Sequence, residues 1–454
     1  MRNDVICLCF AFLLALLTTA GNVQADEQGV GQWFSEKKAE LLGNASEQFR
    51  LGEMYYKGDG VPQDYAKAIY WYTKAAEQGN AKAQLRLGSM YRSGCGVEKD
   101  EQKAVEWYQK AAEQGDAWAQ TLLGEVYAEG LGSVPRDKVK AAQWYQKASE
   151  QGNAYAQFGL GFMYLLGEGV AKDEANGMQW LNKAAEQGLV NAQAALGMMY
   201  NDGQGVTKDE RKAMEWFRKA ADQGDAVAQF RLGMMYANGR VVPQDYNKAV
   251  EWWQKAADQG DVNAQLNLGN MYANGRGVSK DDRKAVEWYD KAAAHADAKT
   301  LVIIGIIYEY GVDVLKDDRK AFELYQKAAQ QGDSHAQSNV GRMYVNGQGV
   351  PKDDHRAVEW FQKAADQGYA YAQRSLGWMY VNGRGVIQDD FKGAQWVKKA
   401  ADQGDAEAQL MLGASYLAGH GVIRDKQVAC GLFRASAEQG NKMAIDTYNK
   451  FCAE

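Results

Sequence analysis

Residues 262–297 read VNAQLNLGNMYANGRGVSKDDRKAVEWYDKAAAHAD. Ala264, Leu268, Met271 and Tyr272 recur at helical spacing and form one apolar stripe. Ala285, Trp288, Tyr289 and Ala292 form a second. Between them, Gly275-Arg276-Gly277 with a lysine downstream resembles a phosphate cradle. A dinucleotide loop needs a preceding strand and a third glycine, and a P-loop needs Gly-Lys-Ser/Thr; neither is present. The glycines therefore read as a helix end, where a residue tolerating positive φ is favoured. Asp281 reads as the N-cap of the next helix, its carboxylate accepting from free backbone N–H groups. Gly269 falls inside the first helix, where it costs roughly 1 kcal/mol against alanine. That predicts a crossing too close for any side chain.

The same pattern returns every 36 residues. Its anchoring glycine stands at Gly52, Gly88, Gly124, Gly161, Gly197, Gly233, Gly269, Gly305, Gly341, Gly377 and Gly413, with one 37-residue step where Leu131-Gly132-Ser133-Val134 carries an extra residue. Eleven copies fill residues 44–441. Aspartate caps the second helix in all eleven, Asp64 to Asp425, too many for a catalytic acid or base. Tyrosine closes the first stripe in all eleven, Tyr55 to Tyr416; tryptophan fills the second in nine, with Leu324 and Leu432 the exceptions. Gly-x-Gly is kept in nine, with Val241 and Asp313 replacing the second glycine in the others. Such helix pairs cannot bury their faces alone and become stable by stacking, so an all-α solenoid of eleven helix-pair repeats is expected. Residues 26–43, with Trp33 and Phe34, are expected to cap its beginning, and residues 442–454 its end.

The bulk composition agrees. The chain has 454 residues, 49 glycines and only 4 prolines, so glycine serves helix ends and turns rather than disorder. A net charge of −6 with interspersed signs offers no basic stripe for nucleic acid. Residues 1–25 combine Arg2, an apolar run over 5–17 and small residues up to Ala25, the pattern of a secretory signal peptide. An exported product, periplasmic or secreted and not membrane-spanning, is expected. After cleavage Cys95, Cys430 and Cys452 remain, which is no metal-ligand spacing. Cys430 and Cys452 flank the turn at Gly440-Asn441 about equally. Antiparallel helices would bring them level, and two readings stand: a disulfide stapling the last helix, or two small buried thiols.

The stretch AQLNLGNMYANGRGVSKDDRKAVEWYDKAA, 264–293, resembles the Sel-1-like repeat, a relative of the tetratricopeptide repeat, and the resemblance covers nearly all the mature chain. It implies a right-handed α/α superhelix whose first helices line a concave face. It also implies an adaptor that assembles protein complexes, with exported bacterial members meeting envelope or host proteins. A cysteine-rich subgroup is linked to penicillin binding and β-lactamase-like activity, but its paired cysteines are missing here.

Catalytic signals are weak. His295, His335, His355 and His420 are scattered, with no pair at metal spacing, and no nucleophile elbow or kinase signature occurs. Ser35-Glu36-Lys37-Lys38 matches Ser-x-x-Lys without its companion Ser-Asp-Asn and Lys-Thr-Gly elements. No cofactor or metal is expected.

Specificity is sought instead at positions that vary between copies. In the first helix these lie four and then three residues apart, on one face. One copy places Tyr155, Gly159 and Phe162 there, another Tyr371, Ser375 and Trp378, and Trp118 starts a third. Trp118/Tyr155/Phe162 and Tyr371/Trp378 are the two expected aromatic patches for a protein or peptide partner; the alternative is that these rings pack against neighbouring repeats. The eighth copy is irregular: Leu301–Ile307 is unusually apolar, Thr300 replaces alanine, and His295-Ala296 replaces Gln-Gly. A local bend or an extra contact surface is expected there. A binding scaffold, a β-lactamase-like hydrolase and a structural envelope spacer are the three functional readings.

Overall fold

The computed structural model describes residues 36–37, 39–40, 43–132, 134–312 and 314–452. The signal-type segment 1–25, Trp33, Phe34, Ser35, Lys38 and Asp313 lie outside the described residues. Twenty-three helices follow one another from Ala45 to Phe451, alternating first and second helices of the eleven repeats; nearly all are 13 residues long. They group into two compact units, one running to Trp216 and the other from Phe217. Within each unit a first helix packs on its own second helix and on the second helix of the preceding repeat. The chain is an all-α solenoid.

One repeat shows how the sequence dictates this. In the first helix Val262–Asn274, Asp261 accepts from the N–H of Ala264, and Gly275 at φ 65° ends the helix by donating to Met271 C=O. The second helix Asp282–His295 starts at Asp281, whose carboxylate accepts from the N–H groups of Arg283 and Lys284. The backbone N–H of Asp281 donates to Tyr272 C=O at 2.9 Å, tying the two helices together, and the same bond recurs from Asp64–Tyr55 to Asp425–Tyr416. The ammonium of Lys284 lies over the Tyr272 ring, 5.2 Å from its centroid. Hydrogen bonds from the backbone and side chain of the third helical residue hold cap carboxylates such as Asp100 and Asp245 below the ordinary aspartate range. Gly277 is required by space as well as by its φ of 70°: a side chain there would strike the carbonyl of Tyr246 in the preceding repeat. The loop that resembled a phosphate cradle is a buttress between repeats.

The helix-interior glycine has a specific occupant. A methyl built on Gly269 would run into the Tyr289 ring of the second helix, which is fully buried. Tyr72, Tyr108, Tyr145, Trp253, Tyr325, Phe361 and Phe433 take the same place over their own glycines. In these repeats the close crossing is a ring seated on a bare helix backbone, and Leu181 and Val397 take its place over Gly161 and Gly377.

A second recurrent feature is polar. Ten repeats bury a glutamine in the first helix, Gln48 to Gln409. In repeat 6, Gln229 Nε2 donates to the carbonyl of Ala221 at 3.1 Å, closing the end of the preceding second helix. Its Oε1 accepts from Gln259 Nε2 at 2.8 Å, at the end of its own second helix. One amide therefore joins three helices, and the pattern recurs in both units.

This ladder fails once, between repeats 7 and 8. His295 stands where a glutamine would donate, leaving Gln265 Oε1 buried without a partner. Leu301 then replaces the next rung altogether. The turn differs too: its usual glycine, such as Gly260 at φ 91°, is Ala296 at φ −71° and ψ 146°. A Cβ at Gly260 would meet nothing, so φ alone demands glycine there. Ala296 cannot follow, and the backbones of the helices on either side of it approach each other less closely than at the other described junctions, while Tyr289 and Tyr308 meet edge-on across the gap. The irregularity of repeat 8 includes a junction without its glutamine rungs and without its positive-φ turn.

Two measurements test these contacts. Gly269→Ala improves helix propensity by about 1 kcal/mol, yet overpacking costs about 1–3 kcal/mol, so a net loss in urea unfolding is expected; a gain would refute the ring contact. His295→Gln with Ala296→Gly gives Gln265 a partner, worth about 1 kcal/mol or more where a buried acceptor had none. Slower hydrogen exchange in Ala298–Tyr310 is the expected readout, and unchanged exchange would count against the ladder.

Candidate functional site

Because tyrosine, glycine and glutamine fix the stack, the first-helix positions left free are those on the opposite stripe. In unit 1, Trp118 and Tyr155 occupy equivalent places in repeats 3 and 4, each 49 % exposed. Their ring centroids are 5.2 Å apart. Phe162 stands apart from them: it is half-buried, meets Phe158 edge-on at 4.9 Å, and packs against the cluster of Met178 and Leu181. The structure thus pairs Trp118 with Tyr155 and places Phe162 largely in the packing between helices.

In unit 2, Tyr371 and Trp378 open onto one groove of about 470 Å³, shared with Arg342, Val345, Arg374 and Met411 from three consecutive first helices. Trp378 is 38 % exposed, and Tyr371 is half-buried. Each ring is backed by a guanidinium, Arg374 at 4.9 Å from Tyr371 and Arg384 at 5.1 Å from Trp378. The arginines are held in turn. Arg384 forms a two-pronged pair with Asp354 at 2.7 and 3.0 Å, and Arg374 pairs with Asp405 and Glu407. Such pinned rings lose little conformational freedom when a partner settles on them.

Arg342 is anchored below by Glu309 at 2.8 Å, a carboxylate only 4 % exposed. Glu309 also accepts from the Tyr325 hydroxyl at 2.8 Å. Burial, and then this carboxylate, push the Tyr325 phenol well above its ordinary range, so it stays a donor. Arg342 is therefore structural as well as surface-forming.

Sequence reasoning left open a bend or an extra contact surface in the apolar run of repeat 8, without naming the residues that would form it. Ile303, Ile306 and Tyr310 are exposed on the first helix of repeat 8, Tyr310 by 67 %. Ile303 and Ile306 occupy the register of Ser375 and Trp378. Counting repeats position by position would have found them; the apolar run of 301–307 concealed them, since Leu301, Ile304 and Ile307 in the same run are buried.

Cys430 and Cys452 are joined as a disulfide with Cα atoms 5.6 Å apart. It ties the helix Lys442–Phe451 to the second helix of repeat 11. Cys95 is free and half-buried. Among the described residues no helix is long and apolar enough to cross a membrane.

The Sel1 repeat model matches at residues 48–80, 81–116, 119–153, 154–189, 190–225, 226–261, 262–297, 302–333, 334–369, 370–405 and 406–441. The chain belongs to the Sel1 repeat family. Sel1 repeat proteins are generally scaffolds for protein interaction and typically not enzymes. Among solved structures, a protective antigen of uropathogenic Escherichia coli strains with an SLR fold is 38% identical. The match covers 92% of this chain and 89% of that one, with a TM-score of 0.62. A Sel1 repeat protein from Oxalobacter formigenes is 34% identical over 72% of this chain and 92% of its own, with a TM-score of 0.55. No curated protein matches the chain. The Sel1 matches leave out 298–301, the stretch that holds Thr300 and Leu301.

A thiol titration checks the staple. A chain starting after residue 25, denatured without reductant, is expected to show one reactive thiol, that of Cys95; three would overturn the pairing.

Proposed function

We propose that this Sel1 repeat protein is an exported, non-catalytic adaptor that holds a protein or peptide on the first-helix faces of its repeats. The observation that carries this reading is the convergence of Tyr371, Trp378 and Met411, from two repeats, on one groove whose rings are pinned by ion-paired arginines. Half-exposed aromatics over an apolar floor are the residues that dominate interface energies. Export rests on residues 1–25, whose charged start, apolar run and small-residue end are those of a cleaved leader. A role at the envelope or toward a host accords with the relative described as a protective antigen present in uropathogenic strains.

The test is site-directed cross-linking. A photoreactive residue at Ser375, inside the groove, is expected to capture a discrete partner from the exported fraction of native cells. Tyr371→Ala with Trp378→Ala is expected to lower that capture at least tenfold while leaving the melting temperature nearly unchanged. Equal capture by the double variant would dismiss this groove. On the same purified chain, hydrolysis of a chromogenic β-lactam would reverse the non-catalytic reading.

A further inference from the structure

The groove in unit 1 has a chemistry of its own. It lies across the first helices Ala45–Lys57, Ala81–Ser93 and Ala117–Glu129 and encloses about 500 Å³. Phe49, Leu85 and Leu122 make its floor, the Trp118 indole overhangs it, and Lys82 and Arg86 stand at its side. Lys82 is exposed and has no carboxylate partner among the described residues; the same holds for Arg50, one repeat back in the register of Arg86.

The acids nearby are already engaged. Glu53 accepts from Arg86 Nε at 2.7 Å and from the Tyr72 hydroxyl at 2.8 Å, and pairs with Lys57 at 2.7 Å. These partners hold its carboxyl below the ordinary glutamate range despite the opposing effect of burial, so it stays ionised and committed. Asp116 accepts from the N–H of Ala119 at 2.8 Å as a helix cap. Lys82 on the groove and Arg50 beside it thus stand without a carboxylate partner, while the acids on the same face, Glu53 and Glu125, are paired with Arg86 and Arg92, and Glu129 lies at the last position of the third helix. The unit 2 groove differs at the position of Lys82, where Tyr371 stands; its arginines Arg342 and Arg374 are matched by Glu309, Asp405 and Glu407, as Arg86 is by Glu53.

We infer that the unit 1 groove takes an acidic peptide segment bearing a large apolar side chain, with carboxylates at Lys82 and Arg86 and the apolar group between Trp118 and the Phe49/Leu85/Leu122 floor. This rests on the adaptor reading and names the partner chemistry of one of its two faces. Electrostatic complementarity of this kind chiefly sets specificity and association rate, while the buried apolar anchor holds the complex. A polyanion such as nucleic acid fits less well. Two lining cations with Arg50 beside them are a short footprint, and the remaining surface of an acidic chain repels phosphate.

The experiment uses labelled decapeptides with one tryptophan–leucine core, flanked by glutamate, glutamine or lysine, and a ten-residue oligothymidylate. Binding to the full mature chain is read by fluorescence anisotropy at low and moderate salt. The glutamate peptide is expected to bind at least tenfold more tightly than the glutamine one, the lysine peptide not at all, and the preference to shrink as salt rises. Lys82→Glu and Trp118→Ala are each expected to weaken it at least tenfold. Lys280→Glu, an equal charge change on a repeat 7 loop, should leave it unaltered; circular dichroism confirms that all three fold. Equal binding of the glutamate and glutamine peptides, no effect of Lys82→Glu, or tighter binding of the oligothymidylate would overturn the inference. If the peptides fail while capture at Ser375 persists, this inference alone falls; if both fail, the adaptor reading falls with it.

Discussion

The buried glutamine amide is the contact on which the stacking register depends. Apolar burial supplies most of the free energy that joins one helix pair to the next, but it is non-directional and tolerates sliding. A carboxamide that must donate to a carbonyl of the preceding repeat and accept from its own second helix has one satisfactory position. Each hydrogen bond adds only about 1 kcal/mol net, whereas a buried amide left unpaired loses more. Misregister is therefore penalised more strongly than correct register is rewarded. In repeat 6 this logic runs unbroken from Ala221 through Gln229 to Gln259. In repeat 7 it stops at the orphaned oxygen of Gln265.

The ring-on-glycine contact works with the amide along a different direction. Tyr289 lies against the bare backbone at Gly269 and sets the distance within a pair, while Gln265 sets the relation between pairs. Stability in such arrays is close to a sum of repeat and junction terms. A junction lacking its amides and its positive-φ turn rests on apolar packing, Tyr289 against Tyr308 among it, and has no polar rung to fix its register. The apolar face of Ile303, Ile306 and Tyr310 stands beside it.

Most of the fold was legible because repetition itself is a signal. Eleven copies of one spacing revealed the helix pairs, the aspartate caps and the close crossing at the interior glycine, and no propensity argument of comparable strength exists for a single copy. What stayed hidden was the partner of each repeated residue. The glutamines were visible as letters in the same places, but a glutamine on a helix is ordinarily solvated. Only the folded chain brings Gln229 a carbonyl, that of Ala221, on one side and an amide, that of Gln259, on the other. The site was legible in part for a related reason. Variation marked the face, yet could not separate Trp118, which overhangs a groove, from Phe162, which fills a gap beside Met178 and Leu181. Nor could it show that the arginines of one groove are spent on internal carboxylates while the lysine of the other is not.

That difference follows from how the architecture divides its positions. The residues holding the backbone recur in nearly every repeat, so the variable stripe can change without disturbing them. Repeat 7 presents Asn263, Asn267, Asn270 and Asn274 along the stripe where repeat 8 presents Lys299, Ile303, Ile306 and Tyr310 and repeat 10 presents Tyr371, Ser375, Trp378 and Asn382. Three unrelated surface chemistries thus sit on nearly the same backbone within 120 residues of sequence (263–382). A partner that engages several repeats reads a sequence of such stripes, and each contributes or withholds affinity on its own. Two grooves of similar size, one charge-balanced and aromatic, the other cationic over an apolar floor, are what this independence produces in a single chain.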